Sequence, residues 1–236
     1  MEVSTEKSKV MLNSREEACA KITMNGEALE NVDKFKYLGA TLTKDGSSIQ
    51  EIRIRIASAT SAMTRLSKIW QSSNISFKTK YRLFRSLVIS IFLYGCETWT
   101  VLKESEKRIQ SFENKCHRKL LGISWRERKT NEHVQEKMKS LVGQQEPLLA
   151  TVKRRKLQWF GHISRHNSLA KTIMQGTLAG QRTRGRPRKN WQHNIVQWTG
   201  LESNYLLKAA SSRIEWRKIS AKASLQSPQR PSRSRE

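Results

Sequence analysis

Acidic side chains come first, because two-metal phosphoryl transfer needs carboxylates clustered around ions that hold the attacking and leaving oxygens. The chain has 236 residues and two aspartates, Asp33 and Asp45. They flank an apolar run over 35–42, read as one strand. At ~3.3 Å of rise per residue its ends lie too far apart to share a metal pair. Both aspartates therefore read as turn residues. The cysteines, Cys19, Cys96 and Cys116, are odd in number and widely spaced, which suits reduced thiols inside a cell and implies no disulfide framework. No Cys-x-x-Cys occurs, and His162 with His166 supplies at most two metal ligands at an i, i+4 step. Cys96 and Cys116 fall on apolar faces as small core residues; a zinc site gathered from Cys96, Cys116, His117, His162 and His166 is the alternative. Cys116 and His117 adjoin, but adjacent helical residues do not face each other. No catalytic residue, metal ligand or cofactor is assigned.

The chemistry that remains is cationic. Against 20 acidic residues stand 45 Lys and Arg, a net charge of +25, and a surface that positive repels itself unless it meets a polyanion. RNA or DNA is the expected partner. Residues 1–149 carry 26 basic and 17 acidic residues, residues 150–236 carry 19 and 3, so the excess is steepest in the last third. There the string Arg184-Gly185-Arg186-Pro187-Arg188-Lys189, with Arg182 before it, contains the Arg-Gly-Arg-Pro centre of an AT-hook. Glycine lets backbone approach the floor of a narrow minor groove, proline keeps the chain extended, and the arginines enter its negative potential. Three readings stay open for this arm: minor-groove preference, general phosphate binding, or a solvated linker that also resembles a nuclear-import signal.

A second patch, Lys153-Arg154-Arg155-Lys156 leading into Trp159, mixes cations with an aromatic ring as single-strand binders do. Helical spacing sets Leu149, Val152, Leu157, Phe160 and Ile163 on a buried face, which makes Phe160 a core residue and leaves Trp159 open. Farther upstream, Arg53, Arg55, Lys78, Lys80, Arg82 and Arg85 read either as solvated helix faces or as the lining of a nucleic-acid channel. Trp70, Trp99, Trp125, Trp191, Trp198 and Trp216 are mostly packing residues.

The elements that would position these side chains begin with three short strands, at 9–12, 21–24 and 35–42, broken by the turn formers Asn25-Gly26 and Asp45-Gly46. Asn25-Gly26 is the firmest signal, because both positions tolerate positive φ in a two-residue hairpin. From residue 49 the period becomes helical. Ile52, Ile56, Ala59, Met63, Leu66 and Trp70 form one stripe on a long helix. A second helix opens at Ser76 as N-cap and runs to about Tyr94, apolar all round in its later half and hence central. A third spans 104–121 with Gly122 as its stop. Shorter helices are predicted over 130–141 and, after Pro147, over 148–163. Beyond Ser164 the pattern loosens into a basic linker over 175–189, with helices resuming at 190–198 and 203–219 and a disordered tail over 224–236. Hydrophobic residues make up 36%, enough for a modest core. The longest apolar run, 87–94, is far short of the ~20 residues that span a bilayer, so no membrane partner is expected. Nor does the chain open with a secretory leader.

Five strings in order, "FKYLGATLTKDG" at 35–46, "LVISIFLYGCETWTV" at 87–101, "FENKCHRKLLGISWRERKTNE" at 112–132, "KRRKLQWFGHISRH" at 153–166 and "RGRPRKNWQ" at 184–192, resemble the region after the polymerase core of non-LTR (LINE-type) retrotransposon reverse transcriptases, especially the RTE group. The resemblance covers about 5–200. It implies that an endonuclease and the fingers and palm would precede this segment, and that residues 5–45 correspond to the end of the palm. Phe35, Lys36, Tyr37, Leu38 and Gly39 then match the strand pair that supports the primer terminus. Residues 49 to about 122 would be similar to a thumb, which follows a template–primer duplex through its backbone. No Tyr-x-Asp-Asp string is present, so no polymerase activity is expected of this chain alone.

The expected fold is mainly α: a short N-terminal antiparallel strand element, a thumb-like helix bundle and a flexible basic C-terminal region. The divisions are 1–46 (end-of-palm strands), 49–122 (thumb-like bundle), 123–166 (post-thumb helices), 167–223 (basic linker and C-terminal helices) and 224–236 (tail). The expected function is template–primer binding through phosphate contacts, in a catalytically incomplete reverse transcriptase. The alternatives are a DNA-binding accessory protein using the AT-hook-like arm, and a decayed remnant without selected function. Basic strings and the missing leader favour an intracellular, nuclear location.

Overall fold

A computed structural model describes residues 4, 5, 7–12, 21–176 and 189–225. The chain opens with six short strands: β1 (Lys9–Val10), β2 (Thr23–Met24), β3 (Glu27–Ala28), β4 (Glu30–Asn31), β5 (Lys34–Tyr37) and β6 (Ala40–Thr43). They form three two-stranded ladders, β1 with β4, β2 with β3 and β5 with β6. Asn25 and Gly26 adopt φ of 54° and 82° and set Thr23 opposite Ala28 and Met24 opposite Glu27, the predicted hairpin. The predicted single strand over 35–42 is instead a second hairpin. Leu38 and Gly39 turn it at φ of 47° and 81°, pairing Lys34 with Thr43 and Tyr37 with Ala40. Leucine rarely enters the left-handed region, so the turn carries no local signal. Tertiary contacts hold it: Tyr94 Oη donates to Leu38 O at 2.6 Å, and the Arg55 guanidinium donates to Gly39 O. The β1–β4 pair is parallel, unlike the antiparallel element expected.

The helices follow. α1 (Ile49–Arg65) buries Ile52, Ala59 and Met63, the predicted stripe. The helix expected to continue to Trp70 breaks at Leu66 (φ −89°, ψ 17°) and resumes as α2 (Ser67–Gln71). Trp70 Nε1 donates to Met63 O at 2.8 Å, claiming the carbonyl that the next turn of α1 would have used. Ser76 caps α3 (Phe77–Leu83) as expected, its side chain accepting from Thr79 N–H. The continuation widens into a π-helical stretch over Phe84–Ile89 before α4 (Ser90–Phe92). Ser86 Oγ donates to Arg82 O and Ser90 Oγ to Ser86 O, and such back-bonding loosens a helical ladder.

α5 (Lys103–Leu121) ends at Gly122, φ 67°, as predicted. α6 (Asn131–Val142) is capped by Thr130, α7 (Leu148–Arg165) follows Pro147, and α8 (Leu169–Gln175), α9 (Trp191–Thr199), α10 (Ser203–Ser211) and α11 (Arg213–Leu225) complete the order. The helix expected over 203–219 divides at Ser212, whose ψ of 112° is extended. α11 reaches Leu225, into the span expected to be a tail; residues 226–236 lie outside the described residues.

α7 is the centre of the packing. Leu149, Val152, Leu157, Phe160 and Ile163 are all buried, the face that spacing predicts. α10 and α11 lie against it, Trp216 Nε1 donating to Leu157 O at 2.7 Å. A Cβ on Gly161 would collide with that indole, so glycine is what lets α11 approach. Ile195, Trp198, Leu206, Ala210, Trp216 and Ala223 join the same core as Ile52, Phe92 and Ile109. The helices beyond 189 are therefore docked on the bundle through a shared core. Among the described residues no helix is long and apolar enough to cross a membrane.

Candidate nucleic-acid interface

Six upstream cations were left undivided by the sequence, and packing separates them. Arg55 is occupied: its Nε donates to Glu51 Oε1 at 2.6 Å, it reaches Gly39 O, and it lies 4.5 Å from the Tyr94 ring centroid. Lys80 Nζ donates to Trp70 O at 2.8 Å, and Arg53 sits 3.8 Å from Glu104. Lys78, Arg82 and Arg85 instead line a groove of about 600 Å³, with Tyr81, Ser86 and Gln145 around them. Their i, i+4, i+7 spacing puts them on one helix face. They extend over about 10 Å of axis, the rise of roughly three nucleotides.

No carboxylate belongs to the groove lining, but one lies beneath it. Glu113 Oε1 accepts from Leu148 N–H at 2.9 Å. Burial pushes its carboxyl up to about 7, against the opposing pull of that N–H and of the Arg85 charge. Near neutral pH that carboxyl is thus partly protonated, whereas Glu146, held below the usual carboxylate range chiefly by Arg154, is a second carboxylate within electrostatic reach of Arg85. Burial also raises the Tyr81 hydroxyl, with Arg85 opposing.

The basic run on α7 has a different fate from the one expected. Lys153 and Lys156 are buried. Lys156 Nζ donates to Trp99 O at 2.7 Å and to Asn194 Oδ1 at 2.9 Å, and it lies 4.5 Å from the Trp191 ring centroid and 5.4 Å from that of Trp198. Burial, with Lys189 adding, pushes its ammonium down to about 6, while the oxygens and indole faces favour the charged form. Arg154 is paired with Glu146 at 2.8 Å, and Arg155 reaches Leu93 O at 3.3 Å. Trp159 packs edge-on against Trp191 at 5.3 Å. These residues cannot form one phosphate-tracking strip with a stacking ring. Four consecutive positions go right around a helix, and the run lies on the most buried helix of the fold. Of the tryptophans read as packing residues, Trp125 departs, standing 82% exposed.

Asp33 and Asp45 need a correction. The β5–β6 hairpin brings both to its open end, so the separation inferred from one strand does not hold. Their side chains serve the hairpin end: Asp33 Oδ1 lies 3.9 Å from Lys44 Nζ, and Asp45 Oδ1 accepts from Thr43 Oγ1 and Ser47 N–H. Among the described residues no three His, Cys, Asp or Glu side chains gather to hold a metal. Cys96 and Cys116 are buried free thiols, both pushed up to about 12 by burial, with Glu97 and Glu113 adding. Burial depresses His117 to about 4, leaving it a neutral ring against Phe84.

Of the primer-support match, Phe35 is half-buried, while Lys36, Tyr37, Leu38 and Gly39 are exposed on the hairpin tip. Glu51 Oε2 accepts from Thr41 N–H at 2.8 Å, completing with Arg55 and Tyr94 a clamp from α1 and the turn after α4 onto the hairpin. Sequence reading missed it, since nothing local links Arg55 and Tyr94 to residue 38. In the arm, Arg182, Arg184, Gly185, Arg186, Pro187 and Arg188 lie outside the described residues, as does Cys19. Lys189, half-buried, donates to Gln197 Oε1 at 2.6 Å.

No family model matches this chain, and no solved structure does. An uncharacterized transposon-derived protein of Caenorhabditis elegans is 28% identical over 207 residues, covering 84% of this chain and 70% of its own length. A protein of Drosophila melanogaster named as an RNA-directed DNA polymerase from the transposon X-element is 24% identical over 158 residues, 65% of this chain. The match spans 16% of that polymerase. This chain is related to transposon-derived proteins, one of them bearing the name of a reverse transcriptase.

Proposed function

We propose that this chain corresponds to the end-of-palm, thumb and post-thumb region of a non-LTR, RTE-like reverse transcriptase, and that it holds template–primer nucleic acid by its phosphates. The observation that carries this reading is the groove in which Lys78, Arg82 and Arg85 share one helix face without a carboxylate in its lining. Cations at that spacing follow a sugar-phosphate backbone and read no bases, as a sequence-tolerant holder requires. The transposon-derived relatives support a nucleic-acid partner. The clamped β5–β6 hairpin, with Tyr37 and Leu38 exposed at its tip, is the element we assign to the primer terminus. Copying is not assigned to this chain, because Asp33 and Asp45 serve a hairpin end. The arm over 182–189, which precedes α9 in sequence, is assigned further phosphate contacts, in a nuclear setting.

The test is equilibrium binding of the purified chain to single-stranded RNA, RNA/DNA hybrid, and A·T-rich and G·C-rich duplex across a salt series. A steep negative dependence of log K on log salt with little sequence preference is expected. Clear A·T preference would transfer the function to the arm. Absence of binding at low salt by a folded sample would end the proposal.

A further inference from the structure

Six of the seven tryptophans are buried or half-buried, and Trp125 stands apart at 82% exposed, the most exposed large hydrophobic among the described residues. Tryptophan is highly buried on average. The position of this one is built. Gly122 ends α5, and Trp125–Glu127 then make one 3-10 turn closed by a reciprocal cap: Ser124 Oγ accepts from Arg126 N–H at 3.4 Å, and Glu127 Oε1 accepts from Ser124 N–H at 2.7 Å. Arg128 N–H donates to Trp125 O at 3.2 Å, with Arg128 itself at φ 48°. The turn thus presents the indole to solvent at a fixed place between α5 and α6.

The surroundings of the ring are cationic. Arg126 Cζ lies 5.9 Å from the Trp125 ring centroid, and Arg126, Arg128 and Lys129 are all exposed. None of the ion pairs among the described residues includes any of the three. The carboxylates nearest in sequence are engaged at turn and helix starts: Glu127 in the cap, and Glu132 held below the usual carboxylate range by its own backbone N–H, with the Thr130 hydroxyl adding. Along the chain no other exposed large hydrophobic occurs between Tyr94 and Leu141. A protein partner would need an apolar patch around the ring. A single ring among cations matches a nucleobase instead, whose flat face stacks on the indole while the phosphates beside it meet Lys and Arg.

We propose that Trp125 is a stacking platform for one base of a single-stranded nucleic acid, with Arg126, Arg128 and Lys129 on the flanking phosphates. This role rests on the nucleic-acid partner proposed above, but not on the α3 groove, which meets phosphates alone. The two sites lie toward opposite ends of α6: Val142, its last residue, lines the groove, and Trp125 precedes its first turn. The 12 residues of α6 make ~18 Å of axis, so a strand of about ten nucleotides is long enough to reach both.

The experiment is equilibrium binding of the full chain to three ligands of matched length, about ten nucleotides: a single-stranded oligonucleotide, the same strand with abasic sites throughout, and a duplex. Trp125→Ala should weaken binding of the base-bearing strand roughly tenfold and change binding of the abasic strand and the duplex by less than about twofold. Its salt slope should match the parent's, since no phosphate contact is removed. Trp125→Phe, which keeps a ring, should retain most of the affinity. At so exposed a position the substitution should leave thermal melting unaltered; a variant that loses the fold would show that the ring packs, and overturns the platform. So does a Trp125→Ala variant that binds the base-bearing strand as the parent does, or one that loses the abasic strand equally. Arg82→Gln/Arg85→Gln should weaken all three ligands alike. That loss without any effect at Trp125 leaves the groove standing and removes the platform alone, whereas no binding of any ligand by the folded parent removes the nucleic-acid partner and the platform with it.

Discussion

The cationic stripe on α3 and the cationic run on α7 have similar charge and opposite surroundings. Lys78, Arg82 and Arg85 are spaced by four and three residues and line an open groove. Lys153 to Lys156 are consecutive, and their helix is covered by α5, α10 and α11, so two of the four ammonium or guanidinium groups are buried and a third is tied to Glu146. Spacing relative to the covered face, rather than local charge density, decides which cations can meet a phosphate. A dense run on a central helix becomes internal structure.

Charge reversal is the hardest test of that contrast. Lys156→Glu would place a carboxylate against Trp99 O and Asn194 Oδ1, where an ammonium now donates. A loss of more than about 4 kcal/mol is expected in urea unfolding, because an uncompensated charge is then buried against like-signed oxygens. Arg82→Glu, on the exposed stripe, should stay within about 0.5 kcal/mol of the parent. Equal losses at the two sites would abolish the distinction.

The acid beneath the groove gives the next largest effect. Glu113 is raised from 4.5 to about 7. The stability linked to its protonated form is therefore complete below pH 4.5 and is lost as pH rises through about 7. Glu113→Gln retains an oxygen for Leu148 N–H and cannot ionise. Its stability should exceed that of the parent by on the order of 3 kcal/mol above pH 7, and the two should converge below pH 4.5. Nucleic-acid binding should follow the same titration, weakening in the parent as ionised Glu113 offsets Arg85, with the variant flat. A difference between the two proteins independent of pH from 4.5 to 8 would sever Glu113 from the groove.

Binding separates the two regions directly. Arg82→Gln/Arg85→Gln should lower the salt slope by about two and the affinity roughly tenfold or more near 0.1 M salt. Arg154→Gln, whose guanidinium is held by Glu146, should change neither. The opposite ranking would return the function to α7.

The helices were legible because their ends are chemically marked: Ser76 and Thr130 cap α3 and α6, Gly122 stops α5, and Pro147 opens α7. Their apolar stripes were legible for the same local reason. What escaped depends on contacts between distant residues. The π-helical widening over Phe84–Ile89 and the break at Leu66 arise from side-chain hydrogen bonds to backbone carbonyls. The docking of α11 depends on Trp216 meeting Gly161 across 55 residues of sequence. The groove cations were all named from sequence but not separated from Arg55 and Lys80, since only the packing of α6 and the Trp70 carbonyl decides which are occupied.

The hairpin at Leu38-Gly39 is the smallest and most local case. An isolated Tyr-Leu-Gly-Ala segment has no reason to turn with leucine at positive φ, yet the pairing from Lys34–Thr43 to Tyr37–Ala40 depends on that turn. The clamp has two parts, Tyr94 Oη on Leu38 O and Arg55 on Gly39 O. Removing one hydroxyl in Tyr94→Phe leaves the ring under Arg55, and the expected global loss is only about 0.5–1.5 kcal/mol. Its local effect should be larger: amide exchange over 34–43 should accelerate while that of α5 and α7 stays at the parent's rate. If 34–43 keeps its protection, the hairpin folds without its clamp and its geometry resides in the ten residues themselves. If protection falls there and in α1 alike, the hairpin and the helices form one cooperative unit, and the strand region would owe its order to the same core that holds the groove open.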